Sequence, residues 1–320
     1  MRAPTFWKYK NWLSNIFLPA AFIHNLAANL RISLSNPKKM PVKIICIGNL
    51  VAGGAGKTPT AIAIAKMLKE ENKVFFLSRG YMGNNNQAAL QVDKSLHTAS
   101  EVGDEPLLLA EILPTIIAKD RVAGAELAIK LGAEIIIMDD GFQNPRLHKD
   151  FSLLVIDGQY GIGNGRVIPA GPMRETIESA IKRTSAILMI GDDIHNVLKY
   201  FPQSIKVFRA ITKPVNIKIE LKEKNVVAFC AIARPRKFYR TLQSIGCNIK
   251  ETISYPDHYN FKKDDYKKLL KKAKDKDALL VTTEKDFVRL SEEMQKEVVA
   301  IPIEVEFLEK DSLINTLSVL

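Results

Sequence analysis

The sequence predicts an α/β protein: a parallel sheet with helices on both faces, followed by a second, smaller α/β unit. From about residue 40 to 204, short apolar runs alternate with segments of helical period. Runs such as 135–138 are apolar at every position, as expected for strands buried on both faces. A second alternation of strands and helices begins at Val226, after a stretch in which lysines alternate with apolar residues.

The first alternation is predicted from apolar runs, turn residues and helix-start signals. Residues 79–86 are rich in Gly and Asn and indicate a loop, and residues 89–92 are compatible with half of a hairpin. Asp104 begins a helix with acidic residues in its first turn. The expected strands are a short buried one that opens the segment 43–60, Val74–Ser78, Thr115–Ala118, Glu134–Asp139, Phe151–Asp157 and Ala186–Ile190, and the expected helices are one from near Thr58, Asp104–Ile112, Val122–Leu131 and Glu175–Lys182.

The second alternation follows two extended segments, Ser204–Ala210 and Val215–Leu221, which we interpret as a ribbon or linker. The expected strands after it are Val226–Phe229, Ile249–Ser254, Ala278–Thr282 and Val298–Glu304, and the expected helices are Arg236–Ser244, Lys263–Lys274 and Lys285–Leu290. The resulting domain boundaries are an N-terminal helix at 1–35, a larger domain at 40–204, a strand linker at 205–224 and a smaller α/β domain at 225–320.

Composition limits the class of protein more than it names a partner. The chain has 320 residues, 47% of them hydrophobic, and a formal net charge of +11. Its length allows two domains with cores of their own. The charge suits an anionic partner such as nucleic acid, an acidic membrane or a phosphorylated substrate, but solvated lysines on helix surfaces would give the same balance. The three cysteines form no CxxC pair, which indicates reduced, buried thiols.

A largely apolar segment with basic flanks occupies residues 1–35. Pro19 is expected to kink or break its helix. Only residues 16–23 are apolar all round, which is too short for the roughly 20 residues that a membrane-spanning helix needs. A helix lying in the membrane interface, with Trp7 and Trp12 at headgroup depth, fits this pattern. A helix packed on its own domain is the alternative.

A Gly-rich turn between the first strand and the first helix has the form of a phosphate-binding loop. Glycines let the backbone aim several N–H groups inward, and the helix N-terminus adds positive charge. Lys57 can reach outer phosphates and the Thr58 hydroxyl can bind Mg²⁺. The residues expected to hold the nucleotide are Gly53, Gly54, Ala55, Gly56, Lys57, Thr58 and Pro59. This motif makes the predicted larger domain a P-loop NTPase-like, three-layer α/β/α domain.

The loop departs from the strict pattern, because Val51 stands where a Gly is usual. The first turn of the loop must therefore differ from the common one. An ordinary strand–turn–helix with a solvent-facing lysine is the alternative interpretation.

Two adjacent carboxylates, Asp139 and Asp140, end the apolar strand at 135–139. An acidic residue in this position holds Mg²⁺ opposite the P-loop hydroxyl in many nucleotide-binding proteins. Neighbouring residues of a strand point to opposite sides, so one Asp serves the metal and the other faces a different group. The sequence does not decide which. A cap or turn aspartate is the alternative.

Asp104 and His258 form a second candidate pair. Asp104 opens a helix, where a plain N-cap is the simplest interpretation. His258 lies in a Pro-bounded loop at the end of a strand of the smaller domain, and a lone His is more often structural. If the two domains face each other, the Asp could orient the imidazole as a base for an attacking hydroxyl.

Several cations complete the candidate residues. Arg121, Arg166 and Arg174 are possible phosphate clamps, with a plain surface position as the alternative for each. Residues 282–286 end a strand, open a helix and offer another anion or nucleotide contact. They do not match the guanine-reading NKxD pattern, which favours ATP over GTP.

Together these motifs resemble the tetraacyldisaccharide 4′-kinase family of lipid A biosynthesis. The P-loop, the Asp-Asp-Gly-Phe-Gln run and the late Asp-His are highly specific in combination. The matching stretches are 48–49 with 53–59, 78–81, 103–106, 139–143, 169–175, 232–235, 257–258 and 283–286, in family order. Ala52, Ala55, Met82 and Met173 depart from the usual family residues, which affects loop shape and removes no chemical group. Members of the family do not keep Gly at the Val51 position either.

The resemblance implies ATP- and Mg²⁺-dependent phosphorylation of a sugar hydroxyl on a tetraacylated glucosamine disaccharide phosphate. It implies a smaller domain closing over the site, an anionic inner-membrane partner at the cytoplasmic face, peripheral or monotopic association, and no nucleic acid. Asp104 and His258 would form the base dyad. The remaining implied roles are phosphate and metal contacts for Lys57 and Thr58, metal and transition-state carboxylates for Asp139 and Asp140, and an active-site pair for Arg174 and Glu175.

Two other functions are compatible with parts of the sequence. One is a membrane-peripheral P-loop ATPase that works as a switch without a lipid acceptor. The other is a non-enzymatic module that binds anionic lipid through its basic surface and N-terminal helix.

Overall fold

The computed structural model describes residues 4–85, 87–217 and 219–319. The first three residues of the predicted N-terminal segment, Asn86 of the Gly/Asn loop, Lys218 of the predicted linker and the last residue lie outside these ranges. The described residues form one sheet of nine strands and one of four. The predicted α/β class is confirmed.

The strands follow the apolar runs of the sequence closely, and the predicted bounds Val74–Ser78, Phe151–Asp157 and Ala186–Ile190 are reproduced. They are β1 (Lys43–Gly48), β2 (Val74–Ser78), β3 (Leu90–Gln91), β4 (Thr115–Ile117), β5 (Ile135–Asp139), β6 (Phe151–Asp157), β7 (Ala186–Ile190), β8 (Lys206–Pro214), β9 (Asn225–Cys230), β10 (Asn248–Ser254), β11 (Leu279–Thr283), β12 (Val298–Ile301) and β13 (Ile303–Phe307).

The helices lie between the strands and at both ends of the described chain. They are α1 (Trp12–Ile16), α2 (Leu18–Ser33), α3 (Lys57–Leu68), α4 (Ala99–Val102), α5 (Asp104–Ala110), α6 (Arg121–Lys130), α7 (Ile177–Ile181), α8 (Pro235–Ile245), α9 (Lys263–Asp275), α10 (Glu284–Phe287), α11 (Glu292–Gln295) and α12 (Lys310–Ser318), with single 3₁₀ turns at Thr5–Trp7 and Val197–Tyr200.

The large sheet has the order β13-β8-β7-β6-β1-β5-β2-β4-β3. Its neighbouring strands are parallel, except that β13 and β3 run antiparallel to β8 and β4 at the two edges. One face is covered by α3 and α12, and the other by α6 and α7, with a continuous apolar cluster on each side. The predicted three-layer arrangement follows, because strands that are apolar at every position must be covered on both faces.

The small sheet has the order β10-β9-β11-β12, with all neighbouring strands parallel. Phe238 and Leu242 of α8 pack on one face of it, and Tyr266 and Leu269 of α9 pack on the other. The carboxyl ends of β9 and β11 therefore lie at one edge, as the ends of parallel strands must.

The linker and the last predicted strand differ from expectation. Residues 206–214 form β8 inside the large sheet, and the described residues of 215–221 form no strand. The single strand expected at Val298–Glu304 is two strands in different sheets, separated by Pro302, which has no N–H for a ladder. Consequently β13 and α12 pack on the large sheet. The predicted boundary, which places them in the smaller domain at 225–320, differs from the structure here.

The N-terminal helix is broken at Phe17, two residues before Pro19, as predicted. Its polar side faces the rest of the chain, where Ser14 is fully buried and Asn29 Oδ1 accepts a hydrogen bond from Ser179 Oγ at 2.8 Å. Its apolar side is exposed, at Trp12, Ile16, Leu18, Phe22, Ile23, Leu26, Leu30 and Leu34. Within the described residues, no helix combines the length and apolarity needed to cross a membrane.

Candidate active site between the two sheets

The P-loop starts where β1, in the middle of the large sheet, comes to its carboxyl end. Gly48 ends the strand so close to Phe142 that an added Cβ would lie 2.2 Å from the Phe142 Cβ atom, and only Gly fits there. Gly53 and Gly56 have φ angles of 105° and 95°, a region that favours glycine. The helix α3 then begins at Lys57, one residue before the predicted start.

The unusual first turn of the loop is held by a neighbouring segment. Val51 is buried and forms an isolated β-bridge with Met173, and the N–H of Ala52 donates to Pro172 O at 2.8 Å. An extended, paired backbone has no need of the φ freedom that Gly supplies. The pairing with residues 172–173 thus accounts for Val at this position.

Asp139 and Asp140 face different partners. Asp139 Oδ2 accepts a hydrogen bond from Thr58 Oγ1 at 2.8 Å. Asp140 has a φ of 56°, which turns its side chain toward Lys57 Nζ at 3.5 Å and the guanidinium of Arg174. Asp tolerates this left-handed conformation better than most residues. The backbone turn therefore separates the two carboxylates, as the sequence requires of neighbouring residues.

The two carboxyl groups also differ in pKa. Burial, and next the negative charge of Glu105, raises the pKa of Asp139. Burial acts in the same direction on Asp140, but Lys57 and Arg174 outweigh it and hold the pKa of that carboxyl well below its usual range. Asp139 Oδ1 is buried without a hydrogen-bond partner among the described residues. Asp139 is thus the carboxylate that still has a free oxygen for a cation.

Asp104 and His258 come together from the two sheets. Asp104 is the first residue of α5, which packs on the large sheet, and His258 follows β10 of the small sheet. The His258 Nδ1 atom lies 3.0 Å from Asp104 Oδ2. The backbone N–H of His258 donates to Ala231 O at 3.1 Å, and its φ is 58°. The structure therefore provides the contact that the sequence could only suggest.

Positive charges surround this pair. Burial opposes ionisation of Asp104, but the hydrogen bond with His258, with help from the charge of Lys285, lowers its pKa to about 2. Lys285 Nζ lies 2.9 Å from Glu105 Oε1 and 3.5 Å from His258 Nε2. Asp104 is accordingly an ionised carboxylate at neutral pH, able to hold an imidazole that carries a positive charge.

The remaining predicted contacts fall into two groups. Arg174 makes a two-pronged contact with Asp140, at 2.6 Å and 3.0 Å. Glu175 is buried and holds Gln143 and Arg183, with Gln143 Nε2 at 3.0 Å. Both therefore line the loop that follows β5.

The other two arginines make their hydrogen bonds to other parts of the chain. Arg121 is buried, donates to Ala118 O and has an unpartnered Nε among the described residues, and burial lowers its pKa to about 10. Arg166 Nη1 donates to Ser14 Oγ at 2.5 Å, so it ties the N-terminal helix to the loop after β6.

Sequence reasoning missed several residues of the site. The sequence marks Glu105 only as part of a helix start, and no motif singles out Arg289. The Arg289 Nε atom lies 3.5 Å from Asp104 Oδ2. Arg289 follows Lys285 by four residues, which places both on one side of a helical turn. That spacing was a signal that the sequence offered. Asp157 and Arg234, which pair across the two sheets, were not connected.

Comparisons with known proteins give a single family. The model of the family described as tetraacyldisaccharide-1-P 4′-kinase, LpxK, matches residues 13–319. A tetraacyldisaccharide 4′-kinase of Rhodospirillum centenum is 42% identical over 320 residues, which cover 98% of this chain and 95% of that protein. One of Parvibaculum lavamentivorans is 44% identical over 302 residues, which cover 91% of this chain and 87% of that protein.

A solved structure shares the fold. It is described as LpxK from Aquifex aeolicus in complex with ATP, and it matches with a TM-score of 0.77 and 28% identity over 94% of this chain and 97% of that chain.

We expect Asp104→Asn to lower the free energy of unfolding by about 2 kcal/mol at about pH 7, because a folded-state pKa near 2 lies roughly two units below that of an unfolded Asp. A lowered pKa stabilises the fold above the unfolded-state pKa, and the contribution is lost as pH falls toward the folded-state value. The difference from wild type should therefore shrink between about pH 4 and about pH 2. Urea unfolding at several pH values measures it.

The exposed Asp275 on α9 provides the control, since Asp275→Asn should change stability little at any pH. A difference between wild type and Asp104→Asn that stays constant with pH would contradict this electrostatic account.

Proposed function

Because the chain belongs to the tetraacyldisaccharide-1-P 4′-kinase family, we propose that its Asp104–His258 pair accepts the proton in the family's reaction. The protein is a lipid kinase of lipid A biosynthesis. It uses ATP to phosphorylate the 4′-hydroxyl of a tetraacylated glucosamine disaccharide 1-phosphate. Its reaction therefore needs a phosphate site, an acceptor site and a base between them.

The observation that supports the base is the 3.0 Å contact between His258 Nδ1 and Asp104 Oδ2. A hydrogen bond donated from Nδ1–H to the carboxylate leaves the lone pair at Nε2. The acceptor hydroxyl would give its proton to that nitrogen while its oxygen bonds to the γ-phosphorus, and ADP leaves. Asp104 would hold the ring and stabilise its positive charge.

Lys285 stands at the same nitrogen, with its Nζ 3.5 Å from His258 Nε2. In the proposed mechanism the entering hydroxyl replaces Lys285 there, while Glu105 keeps its contact with the ammonium at 2.9 Å. Burial opposes the charge on Lys285, but Glu105 and next Asp104 raise its pKa, so it stays a cation. Its charge helps to lower the pKa of Asp104.

The P-loop side would bind the phosphates of ATP. Gly53, Gly54, Ala55 and Gly56 shape the backbone cradle, and the buried Lys57 would move from Asp140 to the outer phosphates. Asp140 keeps a partner when Lys57 leaves, because Arg174 grips it at two points. Lys57 can therefore transfer to the nucleotide without leaving a buried carboxylate unpaired.

A magnesium ion fits beside Thr58 and Asp139. The Thr58 hydroxyl and the unpartnered Asp139 Oδ1 are oxygen ligands of the kind that Mg²⁺ prefers. The described residues contain no cluster of three or more His, Cys, Asp or Glu that could hold a metal, so phosphate oxygens and water would complete its shell. When bound, the ion would neutralise the charge that develops on the phosphates.

Arginines near the cleft are proposed contacts to the lipid. Arg121 is buried with a free Nε donor, and the disaccharide carries a phosphate that such a donor can bind. Arg174 and Glu175 border the same loop after β5 and would shape the acceptor side. We also retain the proposed division into a larger and a smaller domain, because the base and the P-loop come from different sheets.

The N-terminal helix would place the enzyme on the membrane. Its polar side contacts the rest of the chain, Ser14 with Arg166 and Asn29 with Ser179, and its apolar side is exposed. Such a reversed pattern suits a helix lying at the interface of an anionic bilayer. We propose peripheral or monotopic association with the cytoplasmic face of the bacterial inner membrane, where an acylated substrate is reached.

Replacing the base should abolish most transfer. We expect His258→Gln to lower the rate of phosphate transfer to the lipid by about 10²- to 10⁴-fold, the usual contribution of a positioned base. ATP binding should be nearly unchanged, because His258 contacts Asp104 and not the P-loop. The measurement is transfer of labelled γ-phosphate from ATP to the disaccharide lipid in detergent with Mg²⁺.

His97→Gln is the matched control, because His97 contacts the backbone of its own loop at Asp93. A P-loop switch without a lipid acceptor predicts no label in the lipid with any variant. Undiminished transfer by His258→Gln would rule out His258 as the base.

The helix makes a separate prediction. Phe22 and Leu26 are 69% and 58% exposed on α2, so the pair Phe22→Asp and Leu26→Asp should weaken binding to vesicles by about tenfold or more. Vesicles of phosphatidylglycerol and phosphatidylethanolamine, sedimented with the protein, measure the partition. Leu308→Asp, at an apolar residue that is 57% exposed after β13, is the control. If the variant with both α2 substitutions and the Leu308→Asp control bind vesicles equally, α2 does not bind the bilayer.

A further inference from the structure

An arginine of the small sheet lies against the P-loop. Arg234 follows β9 and directly precedes α8. A Cβ atom added to Gly53 would meet Ala233 Cβ at 3.4 Å and Arg234 Nε at 4.0 Å, so the two backbone segments are packed together. Gly53 belongs to the loop that the phosphates of a nucleotide must occupy. Arg234 is thus a cation from the small sheet beside the phosphate site of the large sheet.

The guanidinium of Arg234 lies over the Tyr160 ring, and one of its nitrogen atoms has no hydrogen-bond partner among the described residues. Its carbon atom lies 3.7 Å from the centre of the Tyr160 ring. Nη1 donates to Asp157 Oδ2 at 3.1 Å, while Nη2 is buried without a partner among the described residues. Arg174, by contrast, uses both prongs on Asp140. Arg234 is therefore a partly buried arginine that still has a donor available beside the P-loop.

The partner of Arg234 can lose it. Asp157 is buried, and it also contacts Lys237 Nζ at 3.3 Å. If Arg234 turned away, Lys237 would still neutralise Asp157, so the movement leaves no buried charge alone. Because Asp157 contacts two cations, Arg234 can change its partner while Lys237 stays on the carboxylate.

The same short segment positions both Arg234 and the base. Ala231 O accepts hydrogen bonds from the backbone N–H of His258 at 3.1 Å and from Arg289 Nη2 at 3.2 Å. The N–H of Ala231 donates to the buried Asp286 at 3.1 Å. Ala231 thus fixes the backbone of His258, and Arg234 follows Ala231 by only three residues. The small sheet therefore positions His258 and Arg234 through one short stretch of backbone.

We propose that Arg234 is an arginine finger supplied within the chain: when ATP is bound, its guanidinium leaves Asp157 and contacts the oxygen atoms of the phosphoryl group being transferred. This inference rests on the proposed phosphoryl transfer at the P-loop. Arg234 forms and breaks no covalent bond. The hydroxyl oxygen bonds to the γ-phosphorus, the bond to ADP breaks, and the proton goes to His258, while Arg234 stabilises the charge on the transferring group.

The test compares four variants of the full chain in the lipid-phosphorylation assay. Arg234→Gln should lower kcat by on the order of 10³-fold, the lower end of the effect of known arginine fingers. The dissociation constant for ATP should change by less than about threefold, since the interaction is made in the transition state. Arg234→Lys should recover part of kcat, because it keeps the charge and loses the fork. Arg240→Gln, on the exposed side of α8 and in contact with Gln159, should stay within about twofold of wild type.

Asp157→Asn separates a finger from a structural ion pair. It removes the resting partner but leaves Arg234 free, so its kcat should exceed that of Arg234→Gln by at least about tenfold. Equal losses of kcat in Asp157→Asn and Arg234→Gln, with equal losses of Tm, would make the pair structural and overturn the proposal. Near-normal kcat in Arg234→Gln would overturn it as well.

Wild-type protein keeps the two proposals apart. If wild type labels the lipid and Arg234→Gln does so equally, the finger alone is wrong and the kinase stands. If wild type transfers no phosphate to the lipid, the proposed function fails and the finger fails with it.

Discussion

The proposed active site depends on one hydrogen bond between two sheets, between His258 and Asp104, whose positions are 154 residues apart in the sequence. Neither sheet contains the site alone. The large sheet supplies the P-loop and the carboxylates, and the small sheet supplies the imidazole. Their approach is maintained by charged contacts between the two sheets, Lys285 with Glu105 and Lys237 with Asp157. These pairs are partly withdrawn from water, which costs desolvation, so they fix the geometry more than they stabilise it.

The same principle of paired, exchangeable charges recurs around the P-loop. Lys57 and Arg174 share Asp140, and Arg234 and Lys237 share Asp157. In the proposed mechanism one cation of each pair moves to the nucleotide while the other keeps the carboxylate neutralised. Asp139 accepts from the Thr58 hydroxyl at Oδ2, and its Oδ1 has no hydrogen-bond partner among the described residues. The proposed entry of ATP and Mg²⁺ would therefore leave no buried carboxylate unpaired.

Local sequence predicted much of this fold, and the failures have one cause. Strands β2, β6 and β7 are apolar at nearly every position and are bounded by turn residues, so their ends could be predicted from the chain itself. The strand expected at Val298–Glu304 instead serves two sheets, and β8 and β13 join the large sheet. Which strand pairs with which is decided by distant contacts that periodicity does not carry.

The site shows the same division. The P-loop and the adjacent aspartates are short motifs, and their placement at strand ends follows from a parallel sheet. The Asp104–His258 contact depends on how the two sheets face each other, so the residues alone only suggested it and the resemblance to a family strengthened it. Arg234 and Asp157 carried no local signal of their pairing, since each is an ordinary charged residue beside a strand.

A double-mutant cycle on Asp104 and His258 tests the central claim, that these two side chains from different sheets act as one catalytic unit. Rates of lipid phosphorylation would be compared for Asp104→Asn, His258→Gln and the double variant. Residues that act together are strongly non-additive, so the double variant should be no more than about threefold slower than the slower single variant. Losses that multiply in the double variant would show that Asp104 and His258 act independently and would contradict this account.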